Sequence, residues 1–535
     1  MKKALYVIIA MTVCLLFWYV VVNPHDNSTV ALNPEPARME VGMNLSSVNY
    51  WMPGMPFVDI AKASMPWVTQ NIKNVPGGKN SWDTHVIDSI PLDGDGYPLC
   101  LPVSIKKTEA PQIVATLMCR EIQGRYPAGR YTCLYDGQGE IGFYFDAEII
   151  HSEPGRIEID VTPSLEGNGI LMKILHSQKG DHIRNIRVVM PGHETTYKTR
   201  PFNPLFVDRL KPFKVIRFMD WQRTNDSHEK TWSRRTGISS YTQASSHGVA
   251  LEYMIDLCNL VGADPWFCMP HQTDEDYIRQ FAVMTRNRLR PENKIYIEYS
   301  NEVWNSMFPQ YTWVEENART GSHFEKYAYL ARRSFNIWHE VFGDRKDRVI
   351  RVVSGQQASP RVIQGIIDFL GPGGMDAMAT SAYFGPGSHG YDKLRRLGAR
   401  AKASDVMNLV VDNMRIYEIP AIKRHASIAS ENHLRYITYE AGQSVCPYPL
   451  GSSPAYSQAL WDAQKTPDMY RVYREFMGAC RAMNIDLFMA FSFVTAQDTK
   501  YGSWGHLSRL DQPIDSAPKY RALLDEMDIE YPTKE

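Results

Sequence analysis

Residues 294–305 read KIYIEYSNEVWN. Ile295 to Tyr299 form an apolar run of strand length, rich in β-branched and aromatic residues, which gives way at once to the polar Ser300, Asn301 and Glu302. A run without regular polar alternation predicts a strand buried on both faces, as in a parallel sheet covered by helices. Moving outward from it, similar runs occupy 214–221, 264–270, 348–354, 376–384, 434–440 and 486–493, with one more near Val41. Between them lie helix candidates at 248–261, 274–289, 321–342, 360–370, 402–417, in parts of 455–483, and at 517–527. Eight strand–helix units predict an α/β fold, a (β/α)8 TIM barrel enlarged by long loops. A doubly wound open sheet is the rival. It is disfavoured because no Gly-rich phosphate loop follows a strand, whereas polar residues recur at strand C-termini: Asp220, His271, Glu302, Tyr383 and Glu440.

The stretch 84–193 has a different character. Short alternating segments such as RYTCLYD, EIGFYFDAEII, RIEIDVT, GILMKIL and IRNIRVVM are separated by Gly, Pro and Asp turns, the pattern of an antiparallel β-sandwich or jelly roll. Because EVGMNLSSVNYW followed by a helix-like PFVDIAKAS already reads as a βα unit over 39–83, this domain is expected to be an insertion, with the rest of the barrel in 194–535.

After Lys2 and Lys3 the chain runs without a charge from Ala4 to Val22, close to the roughly 20 residues that span a bilayer. Residues 1–22 therefore read as a signal anchor, with a membrane contact through 4–22, or as a signal peptide for which Thr29-Val30-Ala31 offers small residues. Either reading exports the rest of the chain, to the periplasm or beyond, tethered or secreted. Residues 23–38, with Pro, Asn and Ser and no apolar periodicity, read as a tether. N-x-S/T sequons occur at Asn27, Asn44 and Asn225.

Composition narrows the function classes. Hydrophobic residues make up 44% and charged residues 22%, and 58 basic against 59 acidic side chains leave a formal charge of −1, without the basic excess of a nucleic-acid binder or the apolar poverty of a disordered chain. Twelve Trp and 29 Tyr suit either core packing or a sugar-facing cleft. Cysteines at 100, 119 and 133 leave one or two disulfides open. No HxH, HExxH or CxxC motif points to a metal, and Asp93-Gly94-Asp95-Gly96 lacks the downstream ligands of a calcium loop and reads as a hairpin turn. No G-x-S-x-G elbow points to a serine nucleophile, and no cofactor is implied.

Two strands end in a glutamate: YIEYSNEVWN at Glu302 and ITYEAG at Glu440. Cleaving a glycosidic bond takes one carboxyl to protonate the leaving oxygen and a second at the anomeric carbon, and the pair must flank the bond. With the barrel around them, GADPWFCMPHQTDEDYIRQFA and KIYIEYSNEVWN resemble the retaining glycoside hydrolases of clan A, in a cellulase-like or arabinofuranosidase-like exported branch; the resemblance covers about residues 40–78 and 200–527. It implies Glu302 as general acid/base, Glu440 as nucleophile, Arg217 beneath the nucleophile, Asn301 on the sugar 2-hydroxyl and Tyr383 against the nucleophile.

Asp220, Trp221, Trp266, His271 and Trp304 are further substrate-binding candidates, each with a structural alternative: loop support for Asp220, core packing for the tryptophans, helix capping for His271. Glu298 is expected as a buried partner for a barrel cation. The clan's tryptophan at the end of strand eight is absent from FMAFSFVTAQ, which leaves Phe493 or Trp504 as the sugar floor. The expected partner is a polysaccharide or oligosaccharide. A non-catalytic carbohydrate-binding scaffold and a transglycosylase acting on exopolysaccharide are the alternative functions. Sugar, linkage, endo or exo action and oligomeric state are open at this point.

Overall fold

The computed structural model describes residues 39–73, 81–318 and 321–531. The predicted anchor and tether, residues 1–38, lie outside the described residues. Among the described residues no helix is long and apolar enough to cross a membrane. In chain order the strands are β1 (Glu40–Asn44), β2 (Val68–Asn71), β3 (Gln112–Met118), β4 (Gly129–Asp136), β5 (Gly139–Phe145), β6 (Ala147–Glu153), β7 (Arg156–Val161), β8 (Ile170–Ser177), β9 (Arg184–Val189), β10 (Val215–Arg217), β11 (Asp264–Met269), β12 (Ile295–Tyr299), β13 (Val349–Gly355), β14 (Ala377–Phe384), β15 (Arg435–Gln443) and β16 (Leu487–Ala490).

β1 and β10 to β16 form a closed parallel barrel, in which β1 pairs with both β10 and β16. Its strands are buried almost throughout, as β11 and β12 show at every position, because helices cover one face and packed side chains fill the other. Val215, Trp266, Tyr296, Val352, Ala377, Ile437, Leu487 and Met489 are among those that fill it. The helices begin where the sequence offers caps. Asp274 Oδ1 accepts the Tyr277 N–H at 2.7 Å before Glu275–Arg288, and a reciprocal Ser322–Glu325 box starts His323–Phe342. Predicted strands and helices coincide with these elements to within a few residues, but the helices Pro204–Leu210, Pro309–Asn317, Gly387–Leu397 and Ile419–Glu431 were not anticipated.

Two compact units divide the chain. One holds the barrel; the other takes Ser46–Arg209 and Ser233–Val261. The second carries two antiparallel sheets, ordered β2-β3-β8-β5 and β6-β7-β4-β9. Successive strands β4 and β5, β5 and β6, and β8 and β9 lie in different sheets, so the chain laces the two together. This unit is wider than the expected 84–193. PFVDIAKAS forms only a short 3-10 turn, Ile60–Ala63, and VTQN becomes β2, paired antiparallel with β3, so 39–83 is not a complete βα unit. Asp93 is the turn residue expected: its Oδ1 accepts the N–H groups of Asp95 and Tyr97 at 2.9 and 2.8 Å. Cys100, Cys119 and Cys133 are all free thiols, which removes the disulfides left open by the sequence.

Candidate active site

Arg217 ends β10 and is fully buried. Its Nη1 donates to Asn44 Oδ1 at 3.2 Å and to Glu440 Oε1 at 3.1 Å; its Nη2 donates to Glu298 Oε2 and Asn301 Oδ1, both at 2.8 Å. The guanidinium lies over the rings of Trp266 and Tyr439, 5.4 and 5.5 Å from their centroids. A planar fork donor is suited to such a site, because it meets two carboxylates and two amide oxygens in fixed directions. Glu298 is thus the buried partner expected of it, and it also accepts the indole N–H of Trp266 at 3.1 Å.

Glu302 follows β12 through a tight bend. Ser300 and Glu302 both take left-handed φ, 58° and 42°, a conformation that non-glycine residues adopt at a penalty of about 1 kcal/mol or more each. Backbone bonds hold the bend: Ser300 N–H to Met269 C=O at 2.8 Å and Asn305 N–H to Glu302 C=O at 2.9 Å. The Glu302 carboxyl accepts the Tyr439 hydroxyl at 2.7 Å and Asn305 Nδ2 at 3.1 Å. Glu440, on β15, accepts the Tyr383 hydroxyl at 2.9 Å in addition to Arg217.

Burial raises the carboxyl of Glu302, and the nearby charge of Glu440 raises it further. Burial also raises Glu440, but Arg217 and the Tyr383 hydroxyl oppose it there. Arg217 bonds Glu298 and Glu440 but not Glu302, so a negative charge on Glu302 is the least compensated. Both carboxyls are thus pushed upward, and the charge of Glu440 when ionised adds to the push on Glu302. Half-buried Asp220 adds a carboxyl whose charge also raises Glu440; burial pushes its own pKa to about 6, against Arg223 and Arg217.

The structure therefore brings Arg217, Asn301, Glu302, Tyr383 and Glu440 together, with Asp220 within electrostatic reach. Trp304, half-buried at the edge of the same cluster, has an indole N–H with no hydrogen-bond partner among the described residues. Three expectations change. Trp221 (1% exposed, against Phe218) and Trp266 (0%, stacked on Tyr296 at 5.5 Å) fill the core, and neither offers a face to a sugar. Trp504 lies edge-on to Tyr383 at 5.7 Å and is only 4% exposed, while Phe493 is buried deeper; Trp504 borders the site as a support for Tyr383 and does not present an open floor. Asn44 is no glycan acceptor, since it is buried and its Nδ2 donates to the carbonyls of Tyr439 and Ala490 at 3.0 and 3.3 Å; Asn225 Oδ1 accepts both Asn301 Nδ2 at 3.1 Å and Gln310 Nε2 at 2.8 Å.

His271 does not cap the following helix, a role taken by Asp274, and no direct contact joins it to the carboxyl pair. It lines a separate cavity of 460 Å³ with Gln272, Met307, Phe308 and Trp313, and burial together with His228 lowers its pKa to about 4. Residues not singled out from the sequence also belong to the site: Asn44, Tyr439, Asn305, Asn225 and Gln310. Asn44 was findable, because it is a polar residue at the C-terminal end of a buried strand like the others.

No family model matches the chain, and no curated protein matches it. Solved structures do. The chain is similar over 87% of its length, and 77% of the other chain, to an arabinose-bound α-L-arabinofuranosidase, at 10% identity and a TM-score of 0.41. Over 60% of its length it is similar to a fungal β-1,4-galactanase (91% of that chain, 11% identity, TM-score 0.34). A third match, also over 60%, is xylanase B from Clostridium stercorarium F9 (93% of that chain, 12% identity, TM-score 0.35).

Proposed function

We propose that the protein is a retaining glycosidase that hydrolyses O-glycosidic bonds of a polysaccharide by double displacement. Glu440 is the nucleophile and Glu302 the general acid and then the base. The observation that carries this reading is the unequal support of the two carboxyls: Glu440 receives a buried guanidinium and a phenol hydroxyl, Glu302 only neutral donors.

In the first half-reaction Glu440 attacks the anomeric carbon while Glu302 gives its proton to the departing oxygen. Esterification of Glu440 removes its charge, so the pKa of Glu302 falls and its carboxylate can take a proton from water. Water then attacks the anomeric carbon, Glu440 leaves as the carboxylate, and the original configuration is restored. Asn301, fixed by Arg217 and Asn225, still has a free amide hydrogen for the sugar 2-hydroxyl. Asp220 offers an acceptor to another hydroxyl, and Trp304 an apolar face. We also propose that the substrate lies outside the cytoplasm, on the support of the uncharged run at residues 4–22 after Lys2 and Lys3.

The test is incubation with a panel of β-glucans, mannans, xylans, galactans and arabinans, with proton NMR of the first-formed product. A product with the anomeric configuration of its substrate is expected. An inverted product, or no cleavage anywhere in the panel, overturns the reading.

A further inference from the structure

Tyr383 sits beyond the point where its strand has a partner on one side. The β13–β14 ladder ends at Gly355 opposite Thr380, yet β14 runs on to Phe384. From Ser381 onward only β15 holds it, pairing Ser381 with Glu440 and Tyr383 with Gly442. A backbone N–H and C=O left unpaired at a buried strand end are expensive, and some group must meet them.

Gln357, two residues past the end of β13, does so. Its Oε1 accepts the Tyr383 N–H at 3.0 Å and the Ser381 hydroxyl at 3.3 Å, and its Nε2 donates to the Tyr383 C=O at 3.2 Å. One side-chain amide reproduces the donor and acceptor of a missing backbone rung. Its sense is set by that backbone, since the Tyr383 N–H only donates and its C=O only accepts; the NH2 end so placed also donates to Glu418 Oε2 at 2.7 Å. Glu418 closes a π-helical turn, Met414–Glu418, and its other oxygen accepts Asn413 Nδ2 at 3.0 Å. Such turns are rare and recur at functional sites. At the far end of the chain of contacts, the Tyr383 hydroxyl reaches Glu440 at 2.9 Å.

We propose that Gln357 is a positioning residue, braced by Glu418, which fixes the backbone of Tyr383 and through it the hydroxyl that bonds Glu440. Its effect on turnover rests on Glu440 being the nucleophile; its effect on geometry does not.

Two readouts separate these. In the crystal structure of Gln357→Leu the Tyr383 hydroxyl is expected beyond roughly 3.5 Å of the Glu440 carboxyl, outside hydrogen-bond range. A hydroxyl still bonded to Glu440 overturns the proposal, whatever the enzyme cleaves. On a 4-nitrophenyl glycoside hydrolysed by the wild type, Gln357→Leu should lower kcat about tenfold while KM stays within about twofold, as for a misplaced catalytic group. Added to Tyr383→Phe, which already lacks the hydroxyl, it should lower kcat no further. Losses that multiply in the double variant, or a lower melting temperature with unchanged kcat, show a structural role only and overturn the proposal. Should Gln357→Leu fail to fold, Gln357→Met, which keeps the length of the side chain and removes the amide, takes its place: a lower kcat that vanishes in the Tyr383→Phe background is expected, and wild-type kcat overturns the proposal. If the wild type cleaves no glycoside, the nucleophile assignment falls and the crystallographic arm still decides the positioning.

Discussion

The hydroxyl of Tyr439 donates to Oε1 of Glu302 at 2.7 Å, while the residue next to it, Glu440, accepts Arg217 and Tyr383. Neighbours on a regular strand face opposite ways, so one strand would not serve both carboxyls. Here the register of β15 against β14 passes from Thr438–Thr380 to Glu440–Ser381 and skips Tyr439, a bulge that turns two consecutive side chains toward the site. One strand therefore sets both groups of the pair.

Removing the phenol hydroxyl should be visible in the pH profile. A donor to Glu302 stabilises its anion and opposes the burial that raises it. Tyr439→Phe therefore raises the Glu302 pKa further, so the acid keeps its proton to higher pH and the basic limb of kcat/KM moves up. A hydrogen bond to a charged group is worth about 1.5–3 kcal/mol and 1.36 kcal/mol is one pH unit, so a move of roughly 1 unit is expected. A limb that stays in place, or moves down, contradicts the assignment of Glu302 as the acid.

The two carboxyls should also fail differently. Glu302→Ala removes proton donation, which matters by about 10²–10⁴-fold for a poor leaving group and far less for a dinitrophenyl glycoside. Azide entering the vacated side should then form a glycosyl azide of retained configuration. Glu440→Ala removes the covalent route, and azide entering from that side gives the inverted azide. The same azide product from both variants would place the two carboxyls on one face of the sugar and end the double-displacement reading.

The legibility of the fold and site in the sequence was set by periodicity. The barrel strands were readable because parallel strands buried on both faces lose polar alternation, and Glu302 and Glu440 because a charged residue ending such a run has to face the mouth. Tyr439 was hidden by the bulge, since alternation assigns it the face opposite Glu440. The extent of the second unit was hidden because VTQN is only four residues long and its partner QIVATLM lies far along the chain. Gln357 carries no local signature, since its function is to complete a ladder that only the closed barrel leaves unfinished.

Arg217 is the residue whose loss should be felt most in stability. It is buried with two carboxylates that have no other cation in hydrogen-bond contact among the described residues. Breaking a buried pair by removing one partner destabilises by about 3–5 kcal/mol, because the other charge stays buried. Arg217→Met should lose that amount in urea denaturation at pH 7, and part of the loss should return at lower pH, where Glu440, already raised by burial, is protonated. Arg217→Lys keeps the charge but not the four-way fork, and should recover less than half of the loss. A loss in Arg217→Met that does not depend on pH contradicts the electrostatic account.

The tryptophans give the sharpest separation of packing from binding, because residues of one type are predicted to behave in opposite ways. Trp266 is fully buried, stacked on Tyr296 and bonded to Glu298. Trp266→Ala opens a large cavity under Arg217 and should destabilise by about 3–5 kcal/mol. Trp304 is only half-buried, at the edge of the barrel cluster. Losing it removes less from the core, and on the proposed function it deprives the sugar of a ring face that acts equally in the ground and transition states. Such uniform binding appears in KM alone, and about 1.4 kcal/mol of it is a tenfold rise. Trp304→Ala should therefore raise KM about tenfold on a polysaccharide with kcat and melting temperature little changed. A fall in melting temperature like that of Trp266→Ala would make Trp304 a core residue and leave the cleft without its aromatic contact.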